Sequence, residues 1–170
     1  MSRVSNKDRL LADGLKVMLE RGYVGASVRD IVEAAGVPQG SFSNHFVSKE
    51  AFSLEILERY FANSRLVIGE TLRNDALSPL KRLRAYIDSS IAAIRNHEVK
   101  NGCLVGNFAA EASDHSEIIR KRVSDIYAEL REATAYCLKA AVKAGELPKN
   151  LKIKFKSKVL DLEAILLTKL

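Results

Sequence analysis

An all-α protein follows from three observations on this 170-residue chain. Prolines occur only at 38, 79 and 148. Apolar residues recur at three- and four-residue intervals in one segment after another, and no long stretch alternates apolar with polar as a half-buried strand does. The architecture expected is a small N-terminal three-helix head over residues 1–50. A long helix joins it to a helical-bundle body over residues 51–170.

The first helix opens at Ser5, with Asp8 as a capping-box analogue, and carries Leu11, Leu15 and Met18 on one face. It stops at Arg21-Gly22, where glycine suits a left-handed cap. A second runs from Ser27 to Ala35-Gly36, and a third, very short, from about Gln39 to Phe46. Ser48 before Lys49-Glu50-Ala51 opens a fourth, which reaches Glu70 through Phe52, Ile56, Leu57 and Tyr60. Ser78-Pro79 supplies an N-cap with proline at the first helical position. That fifth helix extends to about His97, with Leu80, Leu83, Tyr86, Ile87, Ile91 and Ile94 as its inner stripe, and Asn101-Gly102 breaks it. Residues 103–113 read as a short helix. Residues 116–144 read as a long one, with Ile119, Val123, Ile126, Leu130, Thr134, Cys137 and Ala141 in near-heptad spacing. Gly145 and Pro148 end it, and 151–170 reads as one more helix.

Composition narrows the function classes. With 47% hydrophobic and 28% charged residues the chain buries a core rather than staying disordered. Two cysteines, 103 and 137, cannot staple a fold of this size. No run approaches the ~18 apolar residues of a membrane span, and the start lacks the apolar core of a signal peptide, so a cytoplasmic location with no membrane partner is expected. The net charge of +6 permits a polyanionic partner without locating it, since Lys152, Lys154, Lys156 and Lys158 gather at the tail. The cysteines lack metal-ligand spacing, and His45, His97 and His115 lie in separate segments, so no metal is expected. Neither a nucleophile elbow, a paired-carboxylate motif nor a phosphate loop is present, so neither enzyme chemistry nor a cofactor is expected.

The sharpest signal lies in residues 27–46. Two short helices joined by Gly36-Val37-Pro38 make a helix-turn-helix. Val28, Ile31, Val32, Val37, Phe42 and Phe46 supply its buried face, and Gln39, Ser41, Ser43, Asn44 and His45 its polar face. These are small donors and acceptors that reach base edges or phosphates. The same spacing also occurs in a plain helical hairpin whose polar face is simply solvated.

Four short motifs fall in order: Arg21-Gly22-Tyr23-x-x-x-Ser27, Gly36-Val37-Pro38, Gly40-Ser41-Phe42-x-x-His45-Phe46 and Ser48-Lys49-Glu50-Ala51. Together they resemble the DNA-binding head of tetracycline-repressor-type (TetR family) regulators over about residues 7–60. The resemblance implies an all-helical homodimer that binds a palindromic operator and releases it on binding a small molecule. It further implies that Ser27 caps the second helix and meets phosphate, and that Arg29 reaches the groove. Gln39, Gly40 and Ser41 would approach bases, Asn44 and His45 would touch bases or backbone, and Lys49 would pair with phosphate. Many members have tyrosine where this chain has Ser43, which keeps a hydroxyl but loses reach.

The body carries a second resemblance. Asn101-Gly102-Cys103-Leu104-Val105-Gly106-Asn107 is similar to a Gly-Cys-Leu-x-Gly-Asn motif of a family branch that includes electrophile-sensing repressors. Residues 164–169 look like that branch's Gly-Ala-Leu-Leu-x-x-Lys segment. Cys103 at a helix start, near Lys100 and Lys169, fits a responsive thiol. It equally fits a small packing residue. Asn107, Glu111, Tyr86 and Tyr127 are the further effector candidates, each of which also fits a satisfied core polar group. Family bodies close with two long helices, whereas this chain stops at Leu170, within the first of them, which leaves two alternatives, a truncated chain or a dimer built differently; the expected dimer uses 116–144 and the segment after Leu151. The function expected is a one-component repressor released by a small molecule or a thiol-reactive electrophile. The alternative is a helical protein-interaction module without operator specificity.

Overall fold

The computed structural model describes residues 5–96, 103–111 and 115–150, without the side chains of 94–96. The expected last helix, Lys100, Lys169, His97 and the Asn101-Gly102 break lie outside the described residues, and so does the side chain of Ile94. Seven helices and no strand occur among the described residues: α1 Asn6–Gly25, α2 Val28–Ala35, α3 Gly40–His45, α4 Lys49–Glu70, α5 Pro79–Asn96, α6 Leu104–Glu111 and α7 Glu117–Lys143. No described helix is long and apolar enough to cross a membrane.

Most boundaries sit where the caps put them. Ser5 accepts from the Asp8 N–H at 3.1 Å, Ser48 from the Ala51 N–H at 3.0 Å and Ser116 from the Ile119 N–H at 3.1 Å. α7 ends on Gly145 at φ 77°, with the Gly145 N–H donating to Val142 and the Glu146 N–H to Ala141. The end of α1 differs from the expected stop. Gly22 takes a non-helical φ of 70° and ψ of −177°, but helical turns resume to Gly25. Glycine there makes a kink rather than an end, because a single residue of that conformation leaves the flanking residues free to stay helical.

The helices fall into two compact units. One takes residues 1–62 with 98–123, the other 63–97 with 124–170, so that α4 and α7 each contribute to both. The first unit is thus larger than residues 1–50, since α6 and the starts of α4 and α7 belong to it. Its core joins Leu10, Leu11 and Met18 of α1, Ile31 of α2, Phe42 of α3, and Phe52, Ile56, Leu57 and Phe61 of α4 with Leu104, Phe108 and Ile119, all buried. Leu15, expected on that face, is only half-buried, while Leu10 and Val17 are buried beside it. The Ser116 hydroxyl, besides capping α7, donates to the Glu50 carboxylate at 2.5 Å, and Arg122 pairs with Glu58.

In the second unit the α7 stripe packs as expected, with Ile126, Thr134, Cys137 and Ala141 buried and Leu130 half-buried. The α5 stripe does not. Leu80 and Ile91 are 40% and 43% exposed, Leu83, Tyr86 and Ile87 are half-buried, and the inward residue is Arg82, at 6% exposure. Its guanidinium turns in because it finds partners there, the Asp75 carboxylate at 2.5 Å and the Leu77 carbonyl at 2.7 Å. Tyr136 donates to the same carboxylate, and the buried Cys137 thiol donates to the Pro79 carbonyl at 3.2 Å.

Gly14 offers a sharp test of the first core. A helix-interior Gly→Ala change ordinarily stabilises by ~1 kcal/mol. Here the new Cβ would lie 2.4 Å from Cζ of the fully buried Phe52. Gly14→Ala is expected to destabilise by about 1–3 kcal/mol in urea denaturation instead. Phe52→Leu in the same chain should shrink that penalty by opening space at Cζ.

Candidate nucleic-acid interface

The helix-turn-helix is built by two motifs of the main chain. Ser27 and Asp30 form a reciprocal capping box: the Ser27 hydroxyl accepts from the Asp30 N–H at 3.1 Å, and the Asp30 carboxylate accepts from the Ser27 N–H at 2.8 Å. Arg21 closes the arrangement with an ion pair to Asp30 at 2.7 Å. At the other end Gly36 adopts φ 58°, ψ 40°. Its N–H donates to Glu33 and that of Val37 to Val32, a Schellman turn that halts α2 and redirects the chain. Arg9 of α1 donates to the Gly36 carbonyl at 3.2 Å.

Beyond the turn, α3 is held by its rings. Phe42 and Phe46 lie 5.4 Å apart, and both pack on Phe52 of α4, at 5.3 and 5.0 Å. With that face inward, Gln39, Gly40, Ser43, Asn44 and His45 are exposed. A Cβ at Gly40 would meet nothing within 4 Å.

Other sequence-selected residues stand differently. The Ser41 side chain is not on the outer face: it is 7% exposed and its hydroxyl accepts from Asn6 at 3.1 Å. The helical period carries it one step round, toward α1. The Ser43 hydroxyl donates to the Gly40 carbonyl at 3.1 Å. Arg29 is exposed and paired with Glu33 at 2.8 Å on its own helix, a solvent-screened contact that is readily exchanged. Lys49 is half-buried, its ammonium 4.7 Å from the centroid of the Tyr23 ring. Burial pulls this amine below the ordinary lysine range, against the opposing pull of Asp30 and Glu111. Val47, at 96% exposure between α3 and α4, drew no notice in the sequence, because a single apolar residue in a loop breaks no pattern.

The body candidates divide between the two units. Cys103, Asn107 and Glu111 belong to the first, Tyr86 and Tyr127 to the second. Cys103 is exposed, directly before α6, and its sulfur accepts from the Tyr60 hydroxyl at 3.7 Å. Burial, with Cys103 adding to it, pushes the Tyr60 phenol far above its ordinary range, so Tyr60 stays a donor. Tyr60 was read from the sequence only as part of an apolar stripe. The second unit has a cavity of about 300 Å³ lined by Arg65, Ile68, Gly69, Arg73, Glu129, Glu132 and Ala133, which none of the expected effector residues lines. Arg65–Glu129 and Arg73–Glu132 ion pairs span it.

The capping box has a pH signature. Bonds from the Ser27 hydroxyl and N–H, with Arg21 beside them, hold the Asp30 carboxyl below the ordinary value of 3.8. A folded-state value below the unfolded one gives stability that is full above about pH 4 and is lost as pH falls through the lowered value. Asp30→Asn is therefore expected to melt below the parent at pH 7, with the gap closing on acidification below pH 4. Ser27→Ala should cost about 1 kcal/mol at neutral pH.

Comparison with known proteins places this geometry. Residues 10–56 match the family described as bacterial regulatory proteins, tetR family, and residues 79–159 match a tetracyclin repressor-like C-terminal domain. The transcriptional repressor DhaR of Mycobacterium sp. (strain GP1) is 35% identical over 151 residues, covering 89% of this chain and 74% of DhaR. The repressor NemR of Escherichia coli K12 is 34% identical over 114 residues, 67% of this chain and 57% of NemR. The crystal structure of the regulatory protein TetR from Rhodobacter sphaeroides superposes with a TM-score of 0.78 at 29% identity, covering 84% and 76% of the two chains. That of E. coli NemR in its reduced form gives 0.72 at 28%, covering 90% and 77%. With its helix-turn-helix and its body both matched, the chain belongs to the TetR family of transcriptional regulators.

Proposed function

We propose that this chain is a homodimeric, one-component transcriptional repressor of the cytoplasm. It binds a palindromic operator through residues 1–50 and leaves it when a small molecule or a thiol-reactive electrophile acts on the effector-binding and dimerisation body, residues 51–170. The observation that carries the reading is the outer edge of α3. Gln39, Ser43, Asn44 and His45 are exposed on a helix whose other face is buried, beside a glycine with open space in place of a side chain. Among the described residues no atom crowds a Cβ at 40, and the lack of a side chain there leaves room for close approach of a nucleic acid.

In this reading Gln39 and Gly40 approach bases, Asn44 and His45 touch bases or backbone, and Ser41 contributes through its main chain alone. Ser27 and Lys49 meet phosphates, Lys49 by leaving the Tyr23 ring, and Arg29 reaches the groove by leaving Glu33. Ser43 stands where the tyrosine of other members contacts the backbone. Two-fold pairing sets the recognition helices ~34–36 Å apart, one duplex turn.

Cys103 is the responsive thiol, and the chain belongs to the Gly-Cys-Leu-x-Gly-Asn branch. Support comes from the exposure of the thiol, from the Tyr60 O–H directed at its sulfur, and from the likeness to NemR, which has been crystallised in a reduced form. Asn107, Glu111, Tyr86, Tyr127 and Lys169 are the other effector candidates.

Selection of duplexes from a random pool, followed by mobility-shift titration at several salt concentrations, tests the reading. Lys49→Ala should weaken binding to all sequences and flatten the salt slope by about one unit. Gln39→Ala should change which bases are preferred. Two variants indistinguishable from the parent would remove the assigned surface. For the thiol, N-ethylmaleimide should release operator from the parent and not from Cys103→Ser. Equal release from both, or faster labelling at Cys137, eliminates the sensor.

A further inference from the structure

Gly22 interrupts α1 with a backbone that only glycine adopts without strain. Conformation is not the sole constraint at this position. A Cβ at 22 would fall 2.2 and 2.4 Å from the two carboxylate oxygens of Glu111, well inside van der Waals contact. The carboxylate fills the volume that a side chain would take. It accepts a long hydrogen bond, 3.4 Å, from the Val24 main-chain N–H, and its charge acts on the Lys49 ammonium. One turn earlier on α6 the buried Phe108 meets the Tyr23 ring edge-on at 5.7 Å. Residues 22, 23 and 24 are thus gripped in succession by α6, and the chain runs from them directly to Ser27, the cap of α2.

From this packing we infer that Glu111 is a positioning residue for the DNA-binding head. Its carboxylate, seated against Gly22 and Val24, fixes the α1–α2 connection, and so the entry of the helix-turn-helix, against α6. The inference rests on the reading of residues 1–50 as the operator-binding head. It gives Glu111 a task on the main chain beside the effector contact proposed above. Lys49 is drawn into the same arrangement: with Glu111 and Asp30 attracting it and Tyr23 beneath it, its place depends on the grip that holds Tyr23.

A double-variant cycle in the full chain tests this. Gly22→Ala should weaken binding to the selected operator at least roughly tenfold, and Glu111→Ala about threefold to fivefold. The Gly22→Ala/Glu111→Ala protein should bind no more weakly than Gly22→Ala alone, because the new methyl already displaces the carboxylate and the backbone strain at 22 is the same in both. Glu111→Gln keeps the shape and an acceptor, and should stay within about twofold of the parent. Such non-additivity is not expected if Glu111 merely adds to general stability. A double variant as weak as the product of the two single losses, or a Glu111→Ala protein that binds like the parent, overturns the inference. Amide exchange over residues 23–26 reads the same contact without DNA. Glu111→Ala should speed exchange there and leave that around Phe52 unchanged. If the parent selects no duplex, the operator reading fails by itself. The exchange then decides the role of Glu111, and unchanged exchange overturns it.

Discussion

A six-residue helix has no stability of its own, and what holds α3 in place is a contact among three phenylalanine rings. Isolated helices need roughly 12–15 residues even to be marginal in water. α3 instead hangs on Phe42 at its middle and Phe46 at its end, which pack on Phe52 tilted and edge-on respectively. Each ring pair adds ~0.5–1.5 kcal/mol beyond the area it buries. Gly14 completes the contact by letting α1 come against the Phe52 ring. With Phe42 and the cap residue Phe46 so committed, the orientation of the helix is fixed, and the polar residues on its far side face outward as a consequence. The protein does not aim Gln39 or Asn44 individually. It aims the rings.

Charge plays a second, local part. Asp30 caps α2 through Ser27, anchors Arg21 and attracts Lys49, so one carboxylate serves three groups around the α1–α2 connection. Ser116 works similarly, capping α7 while donating to Glu50 in the first turn of α4. Exposed pairs such as Arg59–Asp8 or Arg84–Asp88 contribute little individually. Arg82 is different, because a guanidinium that is almost wholly buried persists only if each end finds an acceptor, as it does at Asp75 and Leu77.

The elements legible in the sequence were those that announce themselves through short-range chemistry. Ser5, Ser27, Ser48, Ser78-Pro79, Gly36 and Gly145 mark ends that depend on one or two residues, and the helices begin or stop there. The α7 stripe was legible because its apolar spacing continues for six turns. The α5 stripe misled for the same reason in reverse: periodicity registers apolar side chains and takes no account of a buried arginine with two acceptors. Ser41 misled because its polarity says nothing about which way a short helix is turned. Contacts that join distant parts of the chain, Glu111 on Gly22 or Tyr60 on Cys103, lie 89 and 43 residues apart and leave no local trace.

The open space at Gly40 has a further consequence. Most positions in a small head answer to two demands at once, the integrity of the core and the chemistry of the outer face, so a change that suits one commonly harms the other. Position 40 is slack toward the first, since a Cβ added there meets no atom of the described residues within 4 Å. New residues can therefore be sampled at 40 with little more than a helix-propensity effect on folding, and glycine is itself the poorest helix former but proline. The site is one at which the outer face of the head can change while the core beneath it stays as it is.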